Sequence, residues 1–166
     1  MSSVKVQVDK FASKIQRLLK EAKSQKVIEP VAEEMIKLIV KRTRLGYGVK
    51  KELGTRQLLK KLSPRYVAAR ARSRRLSSTT APRKSNLTFT GQMLESVSVI
   101  KSQNGKIVIG PTGYRDDGKR NEKIAEHQAN QGRTFMNLSQ LEFNQILRFY
   151  RLKFTDLRKK LGLIKR

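Results

Sequence analysis

His127 is the only imidazole in the sequence, and cysteine is absent. A thiolate nucleophile, a disulfide and a Cys/His metal cage are therefore excluded. His127 has no second histidine nearby and no carboxylate at a spacing that a triad would use, so it is expected to bond a carbonyl or to pack. Asp116 and Asp117 are adjacent carboxylates in a turn-rich run, with no third ligand at EF-hand spacing, and read as a solvated turn. There is no Gly-rich phosphate loop ending in Lys-Ser/Thr, no Gly-x-Ser-x-Gly and no His-Glu-x-x-His. Nor is there a pair of isolated carboxylates in an apolar setting. The expectation is a protein that is not an enzyme and holds neither metal nor cofactor.

Cation chemistry remains. The 166 residues carry 38 Lys+Arg against 13 Asp+Glu, a formal charge of +25. Self-repulsion of that size opposes compaction and favours an anionic partner: nucleic acid, an acidic protein surface or a bilayer. The densest run holds Arg65, Arg70, Arg72, Arg74, Arg75, Arg83 and Lys84, and no acid falls between Arg56 and Lys84. Arginine's planar fork takes carboxylate or phosphate in bidentate fashion. Ser77-Ser-Thr-Thr-Ala-Pro82 adds an unpatterned polar linker that cannot by itself offset its ordering entropy. The run reads as a solvated loop, as an arm that orders against an acidic or phosphate-bearing partner, or as containing a short helix near Tyr66 to Arg72. In the isolated subunit the arm is expected to be mobile.

Around this run the chain divides into an N-terminal helical region (1–62), a basic arm or linker (63–86) and an α+β core with a C-terminal helix (87–166). The apolar fraction is 37%. Phe11, Ile15, Leu18, Leu19 and Ala22 predict an amphipathic helix over Val8–Lys23, and Val31, Met35, Leu38 and Ile39 predict a second over Val27–Thr43. Pro30 then falls in the first turn, with acids near the start and bases near the end. Gly46-Tyr-Gly48 ends it, with Tyr47 as a packed loop anchor, and Arg56–Leu62 reads as one or two helical turns. Glu122–Gln131 is a short helix with Gly132 as its cap. Asn137–Leu161 is a long one, capped by Asn137 or Ser139. Phe143, Phe149 and Leu157 widen its apolar stripe, which calls for a second contact with the N-terminal helices or a neighbouring subunit. No apolar run approaches the length of a membrane span. Met1-Ser-Ser-Val-Lys has no continuous apolar segment, so a cytoplasmic protein is expected until assembly.

The organising stretch lies between Asn86 and Asn137. Asn104-Gly105 is a strong type I′ hairpin signal between β-branched flanks. Val97, Val99 and the stem of Lys101 share one strand face, and Ile107 and Ile109 share another. Thr90-Gly91 breaks the pattern upstream, and Met93, Leu94 and Val97 fit a helical turn. The fold class is thus α+β: a small antiparallel sheet centred on the hairpin, packed against the C-terminal helix and at least one N-terminal helix.

In order and spacing, Leu62-Ser-Pro-Arg-Tyr66, Leu87, Thr90-Gly91, Met93-Leu94, Ser96, Val108-Ile-Gly110, Ala125, His127-Gln128 and Arg133-Thr-Phe135 resemble the tail-completion and neck (virion morphogenesis, head–tail connector) proteins of tailed bacteriophages. The resemblance spans Leu62 to Phe154. It departs where that family carries Pro-x-Arg-x-Phe-Leu: no proline precedes Arg133, and Met136 stands for the leucine. It implies a structural virion protein at the head–tail junction, assembled in the host cytoplasm. It also implies a homo-oligomeric ring, six copies preferred and twelve the alternative, with connector, other neck and tail-terminator proteins as partners and DNA in the channel. Thr90, Gly91, Asn104, Gly105, Gly110, His127, Arg133 and Phe135 are its structural motif. Phe135 is expected to be buried against the sheet, and Arg133 to fix the entry to the last helix. The seven arm residues are the candidate partner-binding set. The alternative is a basic nucleic-acid-binding protein, ribosome-associated or DNA-binding, although stacking aromatics, zinc fingers and a clear helix-turn-helix are absent.

Overall fold

The computed structural model describes residues 13–76, 80–103 and 106–164. The start of the first expected helix, linker residues 77–79, and Asn104 and Gly105 lie outside the described residues.

Helix α1 is described over 13–22. A turn at Lys23 and Ser24 leads into α2, Gln25–Arg44, which is the pillar of the molecule. One stripe of α2 is buried through Val27, Ile28, Val31, Ala32, Ile39, Arg42 and Thr43. It begins two residues earlier than the periodicity suggested. Pro30 therefore sits inside it and removes one backbone bond of the ladder. At the other end Gly46 takes a left-handed φ of 93° and its N–H bonds the Thr43 carbonyl, so the helix is closed by glycine.

Residues 56–62 are not helical. Gln57–Leu58 (β2) pairs antiparallel with Tyr47–Gly48 (β1). Leu58 is 74% exposed while Leu59 is buried, which is the alternation of an extended chain. Tyr47 is partly exposed rather than packed as an anchor. Gly48 lies so close to the next layer that a Cβ would stand 2.3 Å from the Thr134 carbonyl oxygen.

After α3 (Pro64–Arg72) and a single turn, α4 (Gln92–Glu95), the hairpin comprises β3 (Val97–Gln103) and β4 (Lys106–Pro111). Its register runs from Val97 opposite Pro111 to Gln103 opposite Lys106. A bulge between Val99 and Lys101 shifts the faces, so Lys101 no longer follows Val97 and Val99. Ile100 instead reaches over Gly110, where a Cβ would meet its Cδ1 at 2.8 Å. Helix α5 (Asn121–Asn130) ends at Gly132, with φ of 79°, and α6 (Gln140–Lys160) closes the fold.

The class is α+β, with two small antiparallel sheets and a long C-terminal helix. Helix α2 packs against both hairpin strands and against α6. One core joins Val31 and Ile39 of α2 to Met93, Leu94, Ala125, Phe135, Leu138 and Ile146. A second joins Leu18 and Ala22 of α1 to Val27 and Leu157, with Tyr150 and Phe154 packed on it. The wide apolar stripe of α6 is thus partly used within the subunit, by α1. Among the described residues no helix is long and apolar enough to cross a membrane.

Candidate functional site

Helix α3 places the arm. Ser63 caps it by accepting a bond from the Tyr66 N–H at 3.3 Å, and Pro64 occupies the first turn, where its missing N–H has no helical partner to lose. The arm therefore has a folded beginning. Arg65, Arg72, Arg74, Arg75, Arg83 and Lys84 are exposed, as a partner-facing set requires.

Arg70 departs from them, being only 3% exposed. Its guanidinium lies 5.9 Å from the centre of the Tyr66 ring and 5.7 Å from that of Phe89. The two rings are 6.4 Å apart and tilted, so they stand side by side against the cation. Nη1 donates to the Lys84 carbonyl at 3.1 Å, which ties the end of the arm to its helix. Among the described residues, Nε and Nη2 have no hydrogen-bond partner. Burial pushes the guanidinium pKa below its ordinary value; Tyr66 opposes that shift and the charge of Arg133 adds to it.

Arg70, Tyr66 and Phe89 line a cavity of about 90 Å³ together with Arg115, Gln128 and Arg133. Among the described residues no carboxylate lines it. Arg133 donates to the side-chain oxygens of Gln128 and Gln131, at 3.1 and 2.8 Å, and to the Lys60 and Lys61 carbonyls at 3.3 and 3.4 Å. It therefore bridges the end of α5 to the segment between β2 and α3, and does not reach the entry to α6. Arg115 pairs with Asp117 at 3.4 Å through Nη2, while its Nε is buried without a partner. Asp116 accepts from the Gln92 amide in the same loop.

The other motif residues take separate positions. Thr90 lines the cavity, and Gly91 starts α4 with φ of 84°, which only glycine adopts freely. Phe135 is 1% exposed, packed among α2, α4, α5 and α6 rather than on the sheet. His127 neither packs nor bonds a carbonyl: it is exposed, with the Gln131 amide nitrogen 2.9 Å from its Nε2. It borders a basic surface groove with Arg115, Lys119, Arg120 and Lys123. Among the described residues no group of His, Cys, Asp or Glu is placed to hold a metal ion.

Sequence reasoning missed the buried ion pair that fixes the entry to α6. Arg42 donates to Glu142 and to the Phe135 carbonyl. Glu142 Oε2 also accepts from Ser139 N–H and Oγ at 2.8 and 2.7 Å, completing a capping box, while Arg56 approaches Oε1 at 3.5 Å. Two signals for it were legible: Arg42 continues the Val31–Ile39 stripe at helical spacing, and Ser139-x-x-Glu142 is a cap signature. No family model, curated protein or solved structure matches this chain significantly.

Proposed function

We propose that this is a structural protein of the phage neck, a tail-completion component that joins the head connector to the tail and completes the DNA channel. The observation carrying this reading is the convergence of the residues behind the resemblance. Met93, Leu94, Ala125 and Phe135 meet in one core with Leu87 packed against it, which supports reading them as one motif. Its work would be geometric, done by interfaces in a ring of six copies, or twelve.

The surface suits a subunit completed by neighbours. Leu45, Tyr47, Leu53 and Leu58, on and beside the β1–β2 ribbon, are 39% to 74% exposed. Clustered exposed apolar residues mark contact surfaces. Each hairpin strand has a single partner among the described residues, which leaves outer edges for pairing. The exposed arm arginines would meet an acidic neighbour or DNA in the channel. The test is the mass of the purified chain, alone and with purified connector. A closed ring, or stoichiometric binding to the connector, is expected; a chain that stays monomeric and ignores the connector overturns the reading.

The alternative, a basic nucleic-acid binder, is favoured by one further feature: Arg158, Lys159 and Lys160 end α6 as a second basic cluster. Submicromolar affinity for random DNA with a steep salt dependence, and no assembly, would select it.

A further inference from the structure

The cavity beside α3 has the features of a built receptor for one anionic group. Arg70 is 3% exposed and presents two unpartnered donors, Nε and Nη2; Arg115 presents a third, its buried Nε. A buried donor without an acceptor is costly, and more so on a charged group. Arg42, buried to the same degree, has a carboxylate on it. Around Arg70, Arg133 and Arg115 line the same walls, and no acid among the described residues does. Tyr66 and Phe89 place ring faces beside the guanidinium but supply no planar acceptor to its N–H groups. Leu87, Met93 and Ile124 form the apolar part of the lining, suited to a short methylene stem.

We infer that this cavity receives the side-chain carboxylate of a glutamate or aspartate carried by a partner polypeptide, with Arg70 and Arg115 as its donors. The partner being a polypeptide rests on the assembly reading above. A volume of about 90 Å³ exceeds the roughly 10–15 Å³ that one water needs, and it suits a carboxylate with its stem. A nucleic-acid phosphate carries sugar on both sides and requires an open groove, such as the one along Lys119, Arg120 and Lys123.

The experiment follows the arginine Nε–H signals of the full-length protein by NMR at fixed ionic strength and mildly acidic pH. N-acetyl-glutamate amide is the probe, and N-acetyl-glutamine amide, inorganic phosphate and a short thymidine oligonucleotide are the controls. Saturable shifts at Arg70 and Arg115 with the glutamate probe are expected, and none with the glutamine analogue. Arg115→Gln lies in a surface loop and should weaken the probe by about tenfold or more, whereas Arg74→Ser should change it less than twofold. Equal response at exposed Arg74, or no selectivity over glutamine, overturns the site. Tighter saturation by phosphate or by the oligonucleotide overturns the carboxylate assignment. The two readings fail separately. A monomer whose Arg70 and Arg115 saturate with the probe loses the ring and keeps the site, while a ring whose cavity ignores the probe loses the site alone.

Discussion

Two arginines are buried almost equally, Arg42 at 2% and Arg70 at 3% exposure, and they are solvated by the protein in opposite ways. Arg42 faces a carboxylate and a backbone carbonyl, and that carboxylate is itself held by the Ser139 cap and approached by Arg56. Burial lowers the pKa of Arg42, and Glu142 pulls it back up. Arg70 has two aromatic rings, one carbonyl and two neighbouring cations lining its cavity. The difference teaches that burial alone does not classify a charge. A paired buried ion is a finished joint, whereas an unpaired one is an incomplete complex.

Breaking the finished joint should have the largest effect. Glu142→Ala strands Arg42 in the core and removes half of the capping box, with an expected loss of about 3–5 kcal/mol in chemical denaturation. A loss below about 1 kcal/mol would mean that Arg42 finds water, and that the pair is not closed. Phe135→Ala keeps the carbonyl that Arg42 uses but empties the ring's site in the main core. Removal of a buried phenylalanine ring costs about 3–5 kcal/mol. Here the thermal midpoint should fall with the α5–α6 corner, and an unchanged midpoint would show that the corner collapses at no cost.

Gly48→Ala tests the layer that holds this corner. Its Cβ would press on the Thr134 carbonyl oxygen at 2.3 Å and on Leu59 Cδ2 at 2.7 Å. An overpacking loss of about 1–3 kcal/mol is expected, read as a lower denaturant midpoint. The smallest effect belongs to Arg70→Met. A flexible thioether packs on Tyr66 and Phe89, and no carboxylate is left unpaired, so stability should stay within about 1 kcal/mol. A loss above about 3 kcal/mol would make Arg70 a structural ion like Arg42 and dissolve the comparison.

Much of this was legible before any tertiary contact was known. Helices α2, α5 and α6 follow from apolar spacing, and the hairpin strands from alternating β-branched residues. In each case the signal and the interaction it reports lie within a few residues of one another. The role of Gly132 was readable on the same grounds, whereas the burial of Phe135 came with the resemblance, which placed it on the sheet and not among the helices. The β1–β2 ribbon was not, because two residues per strand carry no period, and a bulge such as that at Ile100 appears only against a partner strand.

The sequence by itself determined the class of the fold, the positions of its main helices along the chain and the surplus of positive charge. Tertiary structure alone decided which cations are spent inside the protein and which are left for others. Arg42 and Glu142 lie 100 residues apart. Arg65 and Arg70 sit on the same short helix, yet one is exposed and the other is buried beside two rings. Composition counts charges, but the free energy of each depends on what stands within a few ångströms of it, and that is set by packing.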